Sequence, residues 1–197
     1  PLGVILAGGR ATRMGGGDKG LLRLGEGTIL DQVIGRLSPQ VAGMALNANG
    51  DAARFAALGL PVLADSVADH PGPLAGVLAG FDWAAEQGAE AIVTVAADTP
   101  FFPCDLVPRL QLAAEEMAHP LALAATPDGR QPTFGLWPVA LRDDLRAALQ
   151  EGLRKVVMWT DRHGGREALF DEAGEPFFNV NTPEDLERAQ AMAGGRA

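Results

Sequence analysis

The chain has 197 residues, 47% of them hydrophobic, which is enough apolar material for the core of one folded domain. Its formal net charge of −9 argues against a nucleic acid or an anionic membrane surface as the principal partner, because either would repel it. No apolar run approaches the roughly 20 residues of a membrane span, and the first residues contain no basic leader. We therefore expect a cytoplasmic protein with a single domain over residues 1–197 that binds neither nucleic acid nor membrane.

Short apolar runs without strict alternation recur along the chain, and each is typical of a strand that is covered on both faces. Between them, apolar residues recur at helical spacing, as in the segments 74–81 and 106–117. The polar stretch 162–175 is interpreted as an excursion outside the sheet. The predicted strands are residues 2–6, 41–46, 60–64, 91–97 and 121–126, with two further candidates at 132–138 and 176–180, one of them antiparallel.

Helix boundaries are marked by the residues that favour them. Gly72 followed by Pro73 predicts a helix start, Gly88 predicts a helix end, and Thr182 followed by Pro183 is typical of an N-cap with proline in the first turn. The alternation of strands and helices predicts an α/β protein with a three-layer α/β/α, Rossmann-like architecture. Its sheet should be mostly parallel, with at least one antiparallel strand.

The glycine-rich segment LAGGRATRMGGGDKG, residues 6–20, follows the first predicted strand and carries Arg10, Arg13 and Lys19 against one acid, Asp18. In an open α/β sheet, the loop after the first strand is the usual place for a phosphate. Glycine also lets backbone N–H groups approach an anion without a Cβ in the way. The segment therefore predicts a phosphate site.

Two familiar motifs nearly fit this segment. It is not a Walker A loop, because Lys19 is followed by Gly20 and not by serine or threonine. Residues 15–20 match GxGxxG but lie well beyond the end of the strand, so a dinucleotide site is a weaker alternative. A flexible surface loop kept soluble by its charges is the other alternative.

Acidic residues follow two of the predicted strands. Asp98 comes directly after the run 91–97, where a carboxylate can hold Mg²⁺ that bridges to a phosphate; capping of the turn at Thr99 is the alternative. Asp65 and Asp69 follow another strand and, taken alone, are more typical of turns than of ligands. Since the three histidines and the single cysteine show no metal-ligand spacing, any metal should be a hard cation bound by oxygen.

Asparagine pairs lie at the ends of two other predicted strands. Asn47 and Asn49 can bind a base edge or a ribose, or form an ordinary turn. Asn179 and Asn181 are two residues apart and therefore share one face of the candidate strand. Asn181 is placed either to cap the following helix or to contact a ligand.

Six segments in this order and spacing resemble the molybdenum cofactor guanylyltransferases of the nucleotidyltransferase superfamily: LAGGRATRMGGGDKGLL, NAN, DSVADHPGPLAG, AADTPFFP, QPTFGLWP and NVNTPEDL. The resemblance spans residues 3 to about 190 and implies a fold of the nucleotide-diphospho-sugar transferase type. It implies Mg²⁺-dependent transfer of GMP from GTP to the terminal phosphate of molybdopterin, with release of pyrophosphate. GTP and molybdopterin are then the small-molecule partners, with transient contacts to proteins that make or receive the cofactor.

The same resemblance implies roles for individual residues. Arg13, Lys19 and Asp98 are implied to be catalytic, with Arg13 beside the triphosphate. The remaining implied roles are guanine binding through the backbone of Leu6, Ala7 and Gly8, nucleotide binding by Gly9, phosphate binding by Lys19, nucleoside contacts from Asn47 and Asp65, Mg²⁺ and nucleotide binding by Asp98, and a second Mg²⁺ contact from Asn181.

Other readings stay open from the sequence. Arg130, Arg154 and Lys155 are either ligands of the molybdopterin phosphate or solvated surface cations. A molybdenum cofactor cytidylyltransferase or a sugar-phosphate nucleotidyltransferase would share the fold, although LAGG at residues 6–9 differs from their Leu-Ala-Ala-Gly. A non-catalytic nucleotide-binding protein in cofactor delivery is the alternative from another class.

Overall fold

The computed structural model describes residues 1–7, 18–67, 72–172 and 174–195, and strands alternate with helices through these ranges. The strands are β1 (Leu2–Leu6), β2 (Arg23–Leu24), β3 (Gly27–Thr28), β4 (Met44–Asn47), β5 (Val62–Leu63), β6 (Ala91–Ala96), β7 (Ala122–Thr126), β8 (Gly129–Pro138) and β9 (Arg166–Leu169). The α-helices are α1 (Ile29–Leu37), α2 (Pro73–Glu86), α3 (Leu106–Ala113), α4 (Arg142–Gln150), α5 (Val156–Arg162) and α6 (Pro183–Gly194), and short 3₁₀ segments include Lys19–Leu21 and Ala52–Leu58.

Within the described ranges, seven strands form one sheet in the order β5-β4-β1-β6-β8-β7-β9, while β2 and β3 pair separately as a small antiparallel ribbon. The pairs β1–β4, β1–β6, β4–β5 and β7–β9 are parallel, and β8 is antiparallel to both β6 and β7. The predicted mostly parallel sheet with an antiparallel strand is therefore confirmed, and the antiparallel strand includes the candidate at 132–138.

Both faces of the sheet are covered by helices. Neighbouring residues of a strand point to opposite faces, so Ile5 and Val93 join one hydrophobic cluster while Val4 and Ile92 join another. Residues of α1 and α3 complete the first cluster, and residues of α2, α4 and α5 complete the second. This arrangement confirms the three-layer architecture.

The predicted helix boundaries are also confirmed. Gly72 has φ 121° and precedes Pro73 in the first turn of α2, and Gly88 has φ 69° after its end. The Thr182 side chain accepts from the Asp185 N–H, and the Asp185 carboxylate accepts from the Thr182 N–H, which is a complete capping box for α6. Among the described residues, no helix is long and apolar enough to cross a membrane.

The prediction of a strand at 176–180 is wrong. Phe177 packs into the first cluster, 4.8 Å from the Phe134 ring centroid, whereas Phe178 and Val180 pack in a third cluster with Ala189 of α6. The Val180 N–H donates to the carbonyl of Asp98 at 2.8 Å, so this backbone binds the loop after β6 and not a neighbouring strand. The alternation of apolar residues reflects two separate packing sites.

The polar stretch 162–175, predicted to lie outside the sheet, instead contains β9. Within this strand only Ala168 is buried, because β9 lies at the edge of the sheet and presents most of its side chains to solvent. A single buried residue is too little for a hydrophobic pattern to reveal a strand. The helix predicted over 106–117 is likewise shorter, ending at Ala113 before Glu116 adopts φ 66°.

Candidate active site

The strand register brings the ends of β4, β1 and β6 together at the carboxyl edge of the sheet. Leu6 is paired with Asn47 on one side and with Ala96 on the other. Beyond the strands, the Ala7 N–H donates to the Asn47 carbonyl at 2.8 Å, and the Ala97 N–H donates to the Leu6 carbonyl at 3.1 Å. Leu6 and Ala7 therefore lie between the segment that begins at Asn47 and the segment that leads to Asp98.

On the β4 side, three polar side chains form one hydrogen-bonded cluster. The amide of Asn47 donates to Asp65 Oδ1 at 2.9 Å, and the amide of Asn49 donates to Asp65 Oδ2 at 2.7 Å. The Asp65 N–H donates in return to Asn49 Oδ1 at 2.9 Å. A carboxylate oxygen can accept more than one hydrogen bond, so Asp65 retains capacity for a hydroxyl or N–H of a ligand.

Helix α2 approaches this cluster closely at Gly76. A Cβ on Gly76 would lie 2.3 Å from Asn47 Oδ1 and 2.8 Å from Leu6 Cδ2. Asn47 is only 2% exposed and its amide is held by Asp65 and by the Leu63 carbonyl, so it has little freedom to move aside. The absence of a side chain at residue 76 is thus a condition for the geometry of the cluster.

We expect Gly76→Ala to destabilise the protein by about 1–3 kcal/mol, the usual cost of overpacking a buried contact. The measurement is urea unfolding, followed by circular dichroism. Gly35→Ala in α1 is the matched control, because a Cβ there meets nothing within 4 Å. The control should be neutral or slightly stabilising, since alanine is the better helix former; equal effects of the two substitutions would contradict the close approach.

On the β6 side, Asp98 is a half-buried carboxylate two residues beyond the strand. Burial raises the pKa of Asp98, and the nearby charge of Lys19 and a hydrogen bond from Thr99 offset this only in part. The Thr99 hydroxyl lies 3.2 Å from Asp98 Oδ1 and 2.5 Å from Asn179 Oδ1. Asp98 is therefore a desolvated acid whose charged form additional positive charge would stabilise.

Lys19 connects the glycine-rich segment to the chain before α6. Its Nζ donates to Asn181 Oδ1 at 2.8 Å, a contact between residues 162 positions apart. The backbone of Asn181 is held in turn, because its N–H donates to Asp185 Oδ2 at 3.0 Å beside the capping box. Asp98, Lys19 and Asn181 thus form a second polar cluster, separated from Asn47 and Asp65 by the end of β1.

The donor set at this second cluster fits Mg²⁺ in one specific way. Among the described residues, no group of three or more His, Cys, Asp or Glu side chains could hold a metal by itself. Mg²⁺ is commonly bound through one or two carboxylates together with substrate phosphates, and it prefers oxygen ligands. Asp98 and the amide oxygen of Asn181 supply such oxygens, so the residues suit a metal that arrives with a phosphorylated substrate.

Of the remaining predicted site residues, some have other partners in the structure and some lie outside the part of the chain that it describes. Gly8, Gly9 and Arg13 lie outside the described residues. Arg130 donates to Glu167 at 2.5 Å and to Asp161 at 2.7 Å, so two carboxylates already balance its charge. Arg154 and Lys155 precede α5, next to the start of α2: a Cβ on Gly72 would lie 3.7 Å from the Arg154 carbonyl.

Arg54 was not predicted from the sequence, although it contacts both Asp18, the neighbour of Lys19, and the carbonyl of Asn49. It lies in the 3₁₀ segment 52–58 and pairs with Asp18, the residue before Lys19, at 2.5 Å. No motif marks it, because it lies in the run AARFAAL, where a single arginine is typical of a solvated surface. Thr99 was considered only as part of a turn, although its hydroxyl lies within hydrogen-bonding distance of both Asp98 and Asn179.

Two solved structures of other proteins share this fold. Molybdopterin-guanine dinucleotide biosynthesis protein A from Archaeoglobus fulgidus superimposes with a TM-score of 0.74 at 21% identity, covering 99% of this chain and 100% of that one. A nucleotidyl transferase from Methanothermobacter gives a TM-score of 0.75 at 19% identity, covering 100% and 98%. At these identities the likeness establishes the architecture.

Sequence comparison defines the family. The family model described as MobA-like NTP transferase domain matches residues 3–165. A protein of Mesorhizobium japonicum named molybdenum cofactor guanylyltransferase is 51% identical over 196 residues, which cover 96% of this chain and 94% of that protein. A protein of Nitrobacter hamburgensis with the same name is 49% identical over 195 residues, which cover 97% of this chain and 93% of that protein. The chain belongs to the molybdenum cofactor guanylyltransferase family, within the MobA-like nucleotidyltransferases.

Proposed function

We propose that this protein transfers GMP from GTP to the terminal phosphate of molybdopterin, with release of pyrophosphate. The relatives at about half identity carry the name of this activity. The observation that carries the proposal is the pair of polar clusters on either side of Leu6 at one sheet edge. One of them suits a nucleoside, and the other suits phosphates with a metal.

The proposed roles follow this division. Guanine is bound at the end of β1, and the nucleoside is contacted from the β4 side. The phosphates and the metal are held from the β6 side. The assignments are Leu6, Ala7, Gly8 and Gly9 for the guanine nucleotide, Asn47 and Asp65 for the nucleoside, Arg13 and Lys19 for the triphosphate, Asp98 for the metal and nucleotide, and Asn181 for the metal.

The reaction needs no protein nucleophile. A terminal phosphate oxygen of molybdopterin forms a bond to the α-phosphorus of GTP, and the bond from that phosphorus to the bridging oxygen of pyrophosphate breaks. The protein contributes position and positive charge, which lower the energy of a transition state rich in negative charge. In this scheme, Lys19 and Arg13 donate hydrogen bonds to the phosphate oxygens.

Mg²⁺ held by Asp98 and Asn181 would neutralise charge on the phosphoryl oxygens and on the leaving pyrophosphate. The raised pKa of Asp98 supports this assignment, because a buried acid that is costly to ionise alone becomes stable beside a divalent cation. In the structure Lys19 Nζ donates to this same amide oxygen of Asn181 at 2.8 Å; in the proposed complex the oxygen would bind the metal while Lys19 donates to the phosphates.

We also propose that residues 1–197 act as one domain in the cytoplasm. The strands of the large sheet are drawn from residues 2–169 of the chain, and α6 packs against β2. These contacts support one cooperative unit. Contacts with proteins that supply or receive the cofactor are proposed to be transient.

The decisive test is pyrophosphate release from GTP in the presence of Mo-molybdopterin and Mg²⁺. We expect release with GTP and little with CTP or ATP, and loss of release when the metal is chelated. Thermal unfolding with each nucleotide gives an independent measure, because a ligand that binds the native state raises its melting temperature. Preference for CTP would favour a cytidylyltransferase, and GTP binding without pyrophosphate release would favour a non-catalytic carrier.

A further inference from the structure

The Arg54 guanidinium joins Asp18 to the loop that contains Asn49 and Asp51. Nε donates to Asp18 Oδ2 at 2.5 Å, Nη1 to the Asp51 carbonyl at 2.6 Å, and Nη2 to the Asn49 carbonyl at 2.6 Å. Every nitrogen of the guanidinium therefore has a partner. Because the guanidinium is planar and rigid, these contacts fix Asp18 relative to Asn49. We call Arg54, Asp18, Asn49 and Asp51 the Arg54 cluster.

The residues next to Arg54 accommodate its guanidinium and partly shield it from solvent. Its guanidinium carbon lies 4.5 Å from the ring centroid of Phe55, which is 1% exposed and anchored in the core. Gly50 has φ 86°, a conformation that favours glycine, and a Cβ there would lie 3.2 Å from Arg54 Nη1. The side chains of Arg54 and Asp18 are 31% and 25% exposed, so the pair is partly shielded from solvent.

Asp18 is the only acidic residue among the first 25, and it directly precedes Lys19. An unpaired carboxylate beside Lys19 would repel a triphosphate and would compete with it for the lysine charge. Pairing with Arg54 offsets that charge. Through Asn49, the same guanidinium reaches the cluster that holds Asp65, since the Asn49 amide donates to the Asp65 carboxylate.

We propose that Arg54 is a positioning residue for the nucleoside triphosphate. By pairing with Asp18, it neutralises the one acid of the glycine-rich segment and holds Lys19 in register with the nucleoside-side cluster of Asn47, Asn49 and Asp65. This inference rests on the proposed function, in which Lys19 binds the phosphates.

The test is a double-mutant cycle of Arg54→Gln and Asp18→Asn. For each variant we would measure KM for GTP by kinetics and Kd for GTP with Mg²⁺ by calorimetry. Arg54→Gln should raise both by about tenfold, as expected for loss of a partly shielded charge-assisted hydrogen bond. Asp18→Asn should weaken binding in the native background, because it loosens the Arg54 cluster. In the Arg54→Gln background it should instead tighten binding, because it removes an unpaired negative charge.

Arg109→Gln is the matched control. Arg109 also pairs with a carboxylate, Glu172, donates to a backbone carbonyl, and lies 3.9 Å from the ring centroid of a buried phenylalanine, Phe170. It differs in location, since it contacts the end of β9, three strands away from β6. We expect a similar loss of thermal stability for both arginine variants, but unchanged GTP binding for Arg109→Gln.

The sign change of the Asp18→Asn effect separates positioning from simple stabilisation. If Asp18→Asn has no effect on Kd in the Arg54→Gln background, or if Arg54→Gln binds GTP as tightly as the native chain, the inference is overturned. Failure of the proposed function has a different signature. If the native chain binds GTP without transferring GMP, the proposed function fails but the Kd cycle still tests the role of Arg54. If the native chain binds no GTP at all, both the proposed function and the role of Arg54 are overturned.

Discussion

Replacement of Asp98 by asparagine is expected to lower kcat for GMP transfer by about a thousandfold, the upper part of the range for loss of one preorganised electrostatic contact. Asparagine has nearly the same shape but no charge, so it cannot neutralise a divalent cation. Hydrogen bonding around Thr99 and Asn179 can persist, because the amide retains an acceptor oxygen. The measurement is pyrophosphate release at saturating GTP and Mg²⁺.

The same substitution should stabilise the metal-free protein at neutral pH. Burial raises the pKa of Asp98 in the folded chain. A group whose pKa is higher in the folded than in the unfolded chain stabilises the fold at pH values below its pKa in the unfolded chain. This stabilisation is lost as the pH rises through its pKa in the folded chain. At neutral pH the ionised Asp98 therefore costs stability, and asparagine removes that cost. Thermal unfolding in a chelator at about pH 7 and about pH 4 should show a gain that shrinks at the lower pH.

Asp143→Asn is the control for this prediction. Its side chain is 85% exposed near the start of α4, so loss of its charge should change neither kcat nor the pH dependence of unfolding appreciably. Two results would contradict the role of Asp98: near-native turnover of Asp98→Asn, or a stability gain that is the same at both pH values.

Lys19→Ala is expected to lower kcat by about a hundredfold to a thousandfold, a barrier increase of about 2.7–4 kcal/mol for a lost charge-assisted contact in a closed site. Loss of Lys19 also removes the donor to Asn181 Oδ1 and the cation that lowers the pKa of Asp98. The acid limb of the pH–rate profile should therefore shift to higher pH in the variant. A merely structural role for Lys19 would lower activity without that shift.

The measurement is kcat for GMP transfer across the pH range, with Lys19→Arg to test whether a cation alone restores part of the rate. Arg23→Ala serves as control, because Arg23 is an exposed cation on β2 only four residues away in sequence. It should leave turnover and the pH profile essentially unchanged. Unchanged GMP transfer by Lys19→Ala would remove Lys19 from the proposed mechanism.

Asp98 was accessible to sequence reasoning because it directly follows the apolar run of β6, and strand ends in a parallel sheet share one edge. Asn47 and Asp65 follow the same logic, and the structure adds that Asn49 joins them through Asp65. The strand predicted at 176–180 fails for a physical reason. Two adjacent phenylalanines pack in different clusters there, and no local pattern distinguishes that from alternation across a sheet.

The sequence by itself determined the α/β architecture, the helix caps and the family resemblance. These depend on local periodicity, on turn and cap chemistry, and on motifs in a given order. Only the tertiary structure decided that Lys19 contacts Asn181 across 162 positions, that Gly76 must lack a side chain beside Asn47, and that Arg54 pairs with Asp18. Such contacts depend on strand order and helix packing, which bring distant residues together without leaving a local signal in the chain.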